Sequence, residues 1–311
     1  MVIDCDTGVD DALAVLLAVR SPRLDVRAIS CVAGNVGLDD VVANTLKVLD
    51  AAGAADIPVA RGADRPLLGP PRAARHVHGE DGMADLGLPA SGRQPVPASA
   101  VELLRRKLVG TDRPITVITL APLTNIALLL RTYPEVAGRI ARILLMGGAA
   151  SVGNATPSAE FNVWHDPEAA AIVLGSGVPI TMYGLDVFYE PVIERPDAER
   201  LAASGEPGAR LAGQLLLHQI ERFGTGNLGD AGAVAAVIDP AGLTTAPHQI
   251  RVELAGRYTR GETVVDRRTW PSNPQHDEFT SGQLPPGVVD VAFAVEAKGY
   301  RRLYLDTVAR G

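Results

Sequence analysis

The chain has 311 residues, 47% hydrophobic and 21% charged, enough to bury a large core as one big α/β domain or two smaller ones. A formal net charge of −7, with no basic stripe carrying interleaved aromatics, argues against a nucleic-acid backbone or an anionic membrane as the main partner. No basic start with a long apolar run marks a secretory signal and no stretch reaches membrane-spanning length, so a cytoplasmic location is expected.

Val2 and Ile3 read as a short buried strand that Gly8 breaks, and Asp10 and Asp11 open the apolar helical run Ala12–Val19. Four carboxylates (Asp4, Asp6, Asp10 and Asp11) crowd this one turn. Like charges that close repel, and helix capping accounts for one or two of them, not four. A hard divalent cation such as Ca²⁺, which takes six to eight oxygen ligands in irregular geometry, resolves the conflict. Val26–Ala33 is a second strand ending at Gly34-Asn35, and Leu38–Ala52 a helix with Val41, Val42, Leu46 and Leu49 at helical spacing. Cys5 and Cys31, both on expected strands, read as buried thiols. A strand near Ile57–Ala60 leads into the aperiodic stretch Arg61–Pro97, which holds His76-Val-His-Gly-Glu-Asp-Gly82; a loop this long is functional or mobile.

Ser99–Val109 reads as a helix, Ile115–Leu120 as a strand, Pro122 as the start of a helix to about Leu130, and Ile143–Met146 as a strand closed by Gly147-Gly148. Pro167–Leu174 is expected as a helix and Pro179–Tyr183 as a strand before Gly184-Leu-Asp186. Arg195–Pro240 reads as mostly helical, with Asp230 opening Ala231–Ile238. Gln249–Leu254 and Thr263–Asp266 suggest a peripheral antiparallel pair, Val288–Val295 a further strand, and the C-terminus a last helix. Uniformly apolar strands alternating with helices define an α/β fold: a largely parallel, open central sheet flanked by helices, with a small antiparallel element. No repeat or linker divides it, so residues 1–311 are taken as one domain.

Ligands of such sheets bind beyond the carboxyl ends of the strands. Those ends carry the aspartate cluster, Asn35, Leu120, Met146 with Asn154, Glu160 and Asn162 following, and Asp186, with no lysine or arginine among them. The set suits a metal and a neutral polyol such as a sugar, not a phosphate, and no dinucleotide or P-loop glycine pattern is present.

The segment Asp4-Cys-Asp-Thr-Gly-Val-Asp-Asp-Ala12 resembles the signature of the inosine-uridine-type nucleoside hydrolases, calcium-dependent nucleoside N-ribohydrolases. The likeness continues in order through Val32-Ala-Gly-Asn35, His78-Gly-Glu-Asp-Gly82, Ala121-Pro-Leu-Thr-Asn-Ile126, Met146-Gly-Gly148, Gly153-Asn154 and Ala159-Glu-Phe-Asn162. It extends to Asp166-Pro-Glu-Ala169, Gly184-Leu-Asp-Val187, Asp230 and Thr259-Arg-Gly-Glu-Thr-Val-Val-Asp266. The resemblance implies a Rossmann-like nucleoside hydrolase fold, Ca²⁺ held by the carboxylates of Asp6, Asp11 and Asp230 and the carbonyl of Leu120, and Asp10 taking a proton from metal-bound water that attacks the anomeric carbon. It further implies ribose contacts from Asn35, Met146, Asn154, Glu160 and Asn162, a supporting role for Asp186 at the metal site, and a homodimer or homotetramer. As plain structure the polar ones read as turn or cap residues, a description that suits Asn35 best and Glu160 least, and Asp166 reads as a helix cap.

Two departures stand out. Family members commonly carry a His just before the last calcium-binding aspartate, placed to protonate the leaving base, and here that position is Gly229. The family-typical Thr after Leu185-Asp-Val187 is Phe188. General acid help is worth about a hundred- to ten-thousand-fold, so a replacement is expected. His78 matches a loop histidine that faces the base in pyrimidine-preferring relatives, with an exposed loop residue as its equal rival; His76 reads as solvated, Asn227 or Tyr183 as possible base contacts, His276 as surface and Tyr258 as core. The expected function is hydrolysis of a ribonucleoside to free base and ribose, with a pyrimidine or modified base favoured. The rivals are a ribose- or nucleoside-binding protein of the same fold silenced by Gly229, and a phosphatase beginning Asp4-x-Asp6.

Overall fold

The computed structural model describes residues 1–269, 279 and 287–309. Its sheet has nine strands: β1 (Val2–Cys5), β2 (Ala28–Cys31), β3 (Val59–Arg61), β4 (Ile115–Thr119), β5 (Ile140–Met146), β6 (Ile180–Tyr183), and, after the short pair β7 (Val192–Ile193) and β8 (Gly226–Asn227), β9 (Leu243–Val252), β10 (Thr263–Val265) and β11 (Gly287–Val295). The order is β10-β9-β11-β6-β5-β4-β1-β2-β3, with β7 and β8 forming a separate antiparallel sheet. From β3 to β11 every neighbouring pair is parallel, and β9 pairs antiparallel with both β11 and β10. The expected peripheral pair is therefore longer than its sequence signal and fused to the main sheet through β11.

The chain runs outward from β1 to β2 and β3, then returns to β4 on the other side of β1. This reversal opens a crevice at the carboxyl ends of β1 and β4, where the aspartate turn and Leu120 meet, the place where open α/β sheets bind ligands. Helices cover both faces, which is why these strands are apolar throughout. On one face pack Val9–Arg20, Leu38–Ala51, Pro207–Phe223, Asp230–Ile238 and Ala297–Val308; on the other, Ala100–Val109, Thr124–Thr132 and Pro167–Leu174. Ala12 to Ala18 of the first helix are all fully buried, so that helix is apolar all round; each buried leucine there is worth about 1.5–3 kcal/mol. Cys5 and Cys31 are cross-strand neighbours, free and buried, as expected.

Several local expectations change. The helix after Pro122 begins only at Thr124. β1 ends at Cys5, so that Asp4 faces Ser30 and Asn125 while Asp6 is already in the turn and faces Asn35 and Asp11. The Arg61–Pro97 stretch is tied to the body through Ala74 N–H to the Asn35 carbonyl (2.9 Å), Leu67 N–H to Asp166 (2.8 Å) and Arg222 to the His76 carbonyl (3.0 Å). Tyr258, expected in the core, is 77% exposed on a turn, and His276 lies outside the described residues. Asp166 does cap the helix that follows it, accepting from Ala169 N–H, and also from Thr124 Oγ1. Among the described residues no helix is long and apolar enough to cross a membrane.

His165, closing the short helix Phe161–His165, is buried edge-on to Phe161 with neither ring nitrogen hydrogen-bonded among the described residues. Burial, and then Arg72, push its pKa down to about 4. The unfolded chain therefore takes up this proton first: the stability is whole above about pH 6.5 and is lost as pH falls toward 4, by up to about 3 kcal/mol. For His165→Leu the change in urea midpoint from pH 7.5 to pH 5 should be more favourable than the parent's change over the same range; parallel changes would remove this account.

Candidate active site

Three carboxylates, from Asp10, Asp11 and Asp230, have oxygens within 4.8 Å of one another at the mouth of the crevice. Asp10 and Asp11 come from the first turn of Val9–Arg20, and Asp230 is the first residue of its own helix, so two helix N-termini aim their dipoles at this cluster. Asp6 adjoins it from the end of β1. Its Oδ2 accepts Asn35 N–H at 2.7 Å, and its Oδ1 is buried with no partner among the described residues. Glycine at 34 makes this approach possible, since a Cβ there would lie 2.0 Å from Asp6 Oδ2. Asp11 is held by the N–H groups of Asp6 (3.1 Å) and Gly8 (3.0 Å) and by Asn35 Nδ2 (3.0 Å). Asn35 thus orients two carboxylates at once and is more than a turn residue.

Burial first, and neighbouring carboxylates second, raise the pKa of Asp11 to about 7; the same causes drive Asp230 well above the carboxylate range, and Asp6 too is raised, by burial and then Asp11. An acid cluster this buried, without a cation among its described lining and with an orphaned Asp6 oxygen, fits a hard metal ion bound through oxygen. Asp10 differs from the others: its side chain keeps 20% exposure, and its Oδ1 receives only its neighbour's Asp11 N–H at 3.2 Å.

A cleft of about 380 Å³ opens from the carboxylates. One wall is made by the residues after β5. Glu160 accepts from the N–H groups of Gly148 (2.9 Å), Asn162 (2.9 Å) and Val163 (3.2 Å), which caps the helix Phe161–His165. Glu160, the residue least suited to a capping role in the sequence, is therefore a cap as well as a cleft residue; burial raises its pKa to about 7. Asn162 Nδ2 donates to the Leu120 carbonyl (2.9 Å) and reaches the Met146 carbonyl (3.2 Å), leaving Leu120 one lone pair for another partner. Asn154 accepts from Phe161 N–H at 2.9 Å and lines the same wall. Asp186 holds the loop after β5 by accepting Ala150 N–H at 2.7 Å; it supports this wall, not the metal cluster.

The cleft is also lined by His76, His78, Phe188, Gln219, Phe223, Asn227 and Gly229. His78 is buried, which overturns the exposed-loop alternative. Its Nδ1 accepts Val9 N–H at 3.1 Å, so the neutral ring carries its proton on Nε2, and it lies 3.7 Å from Asp10 Oδ1. Burial lowers the His78 pKa, only partly offset by Asp10. His76 is exposed, as expected. Tyr183 is removed from the list of base contacts: it is fully buried and its hydroxyl donates to the Val187 carbonyl at 3.4 Å. Gln219 and Phe223, one helical turn apart on Pro207–Phe223, were not singled out by the sequence, because Gln and Phe at that spacing look like any amphipathic helix.

A crevice at the sheet reversal, a buried acid cluster suited to a hard cation, and a polar wall without lysine or arginine together define a metal-dependent hydrolase acting on a neutral hydroxylated substrate. The chain belongs to the inosine-uridine preferring nucleoside hydrolases, whose family model matches residues 1–300. It is 44% identical over 273 residues to the pyrimidine-specific ribonucleoside hydrolase RihA of Citrobacter koseri, covering 86% of this chain and 88% of that protein. The same enzyme from Escherichia coli O81 is 42% identical over the same shares. Among solved structures, the plant nucleoside hydrolase PpNRh1 superposes with a TM-score of 0.90 at 30% identity, covering 100% of this chain and 98% of that one. A purine-preferring ribonucleoside hydrolase from Gardnerella vaginalis gives 0.88 at 28% identity, covering 99% and 97%. The fold and enzyme class expected from the sequence are borne out.

Proposed function

We propose that this enzyme hydrolyses the N-glycosidic bond of pyrimidine ribonucleosides, releasing free base and ribose, with Ca²⁺ as its metal. The observation that carries the chemistry is the orphaned, fully buried Asp6 oxygen beside Asp11 and Asp230. Asp6, Asp11, Asp230 and the free lone pair of the Leu120 carbonyl would hold the ion, whose Lewis acidity makes a water acidic near neutral pH. Asp10, the most exposed carboxylate of the cluster, lines the cleft and would accept a proton from a water there as general base. Asn35 keeps the carboxylates in place, and Asn154, Glu160, Asn162 and Met146 present the ribose wall.

At the leaving-group end Gly229 offers no proton. His78, held neutral by burial, serves base departure as an Nε2–H hydrogen-bond donor instead of an imidazolium acid. Pyrimidine preference is supported by the names of the RihA relatives and by His78 at the cleft. Ribose release from uridine, cytidine, inosine and modified nucleosides, measured with added Ca²⁺ and with chelator, tests the reading. Release from the pyrimidines that chelator abolishes and Ca²⁺ restores is expected; no release from any of them would sink it. Calorimetry separates the binding-protein rival, which would show nucleoside stabilisation without product.

A further inference from the structure

Gly229 and Phe188, the two departures from the pattern the resemblance implies, adjoin each other in the fold. Gly229 has φ +54° and ψ −123°, and a Cβ on it would stand 3.0 Å from the Phe188 ring tip and 3.0 Å from Asp10 Cβ. Phe188 thus fills the space a side chain at 229 would enter. Its ring is 8% exposed and borders the cleft, and it is braced edge-on by Tyr189 at 4.9 Å between centroids. Such aromatic pairs resist rotation, because turning the ring costs both the contact and the packing around it.

We propose that Phe188, seated on Gly229, is the specificity-determining wall for the departing base, admitting a single-ring base and crowding a two-ring one. The proposal rests on the hydrolase reading above. The proposed sugar contacts come from the segments after β5, and Phe188 lines the same cleft together with Gln219, Phe223 and Asn227. A base projecting from a ribose held there comes within reach of this fixed aromatic ring. A pyrimidine fits with a face or edge on Phe188. A purine carries an additional fused imidazole ring, close in size to the benzene ring Phe188 contributes, and meets a wall with no room to retreat. Removing that ring should admit purine nucleosides and loosen pyrimidines.

The test is kcat/KM for uridine and inosine in the parent, Phe188→Ala and Phe188→Leu, with thermal melting to confirm that each folds. The uridine-to-inosine ratio should fall at least tenfold in Phe188→Ala, within the roughly ten- to two-hundred-fold over which hydrophobic pockets discriminate, and by a smaller factor, about threefold, in Phe188→Leu, which keeps part of the volume. If Phe188→Ala does not fold, Phe188→Leu decides alone. A ratio within twofold of the parent, or a parent that prefers inosine, overturns the wall and leaves hydrolysis standing. A parent that cleaves neither nucleoside overturns the hydrolase reading, and the wall falls with it.

Discussion

Replacing Asp10 by Asn should lower kcat about a hundred- to ten-thousand-fold, while uridine KM stays within a few-fold. The expectation follows from the division of labour within the aspartate cluster. Asp6, Asp11 and Asp230 are each at most 2% exposed, and Asp6 and Asp11 are held by backbone or Asn35 donors, so they are fixed in place. Asp10 is the most exposed of the four, with 20% of its side chain open, and it lines the cleft, where a water can reach it. Asn is nearly isosteric and keeps an acceptor oxygen for Asp11 N–H, but its amide cannot take a proton from water. Ca²⁺-induced stabilisation in a thermal melt should persist, which distinguishes loss of the base from loss of the metal site. A variant retaining more than a tenth of the parent kcat would remove Asp10 from the reaction.

How far the sequence carries depends on how local each cause is. The parallel sheet was readable because strands buried on both faces are apolar runs, and Val2–Cys5, Ala28–Cys31 and Ile115–Thr119 need no distant partner to look that way. The aspartate turn was readable because charge crowding is a property of eight consecutive residues, Asp4 to Asp11. What escaped depends on contacts between segments far apart. The burial of His78 is set by Val9 N–H, 69 residues away, and nothing near His78 announces it. Glu160 looked unsuited to capping because short side chains cap best, yet its longer arm reaches the Asn162 and Val163 N–H groups and Gly148 beyond them. Tyr258 shows the reverse error, since an aromatic residue suggests core but a turn exposes it, while Gln219 on an ordinary amphipathic helix carries no signal that the cleft claims it. The absence of the acid at Gly229 was visible in the sequence; its occupation by Phe188 was not, since the two are 41 positions apart and meet only in the fold.

That contact makes an apparently restorative substitution harmful. Gly229→His, which returns the residue common in the family, should reduce kcat/KM at least tenfold on every nucleoside. The backbone at φ +54°, ψ −123° lies in a region that side-chain-bearing residues avoid, at a cost of about 1–3 kcal/mol. The new Cβ also meets Asp10 Cβ and the Phe188 ring at 3.0 Å each, closer than carbon atoms pack. Relief requires the 226–230 segment to move, and Asp230, the next residue, is a proposed metal ligand. The imidazole would thus arrive where a proton is needed while displacing the carboxylate and the base on which attack depends. Weaker Ca²⁺-induced stabilisation should accompany the rate loss. The double variant Phe188→Thr with Gly229→His should recover part of it, because the ring is one of the two clashes and Thr is a much smaller side chain. Recovery in the double variant means that the two sites are coupled by volume, and their effects will not add. A single Gly229→His that gains activity on any nucleoside would show that the segment accommodates a side chain at no cost, and the geometry around Gly229 would then carry no functional weight.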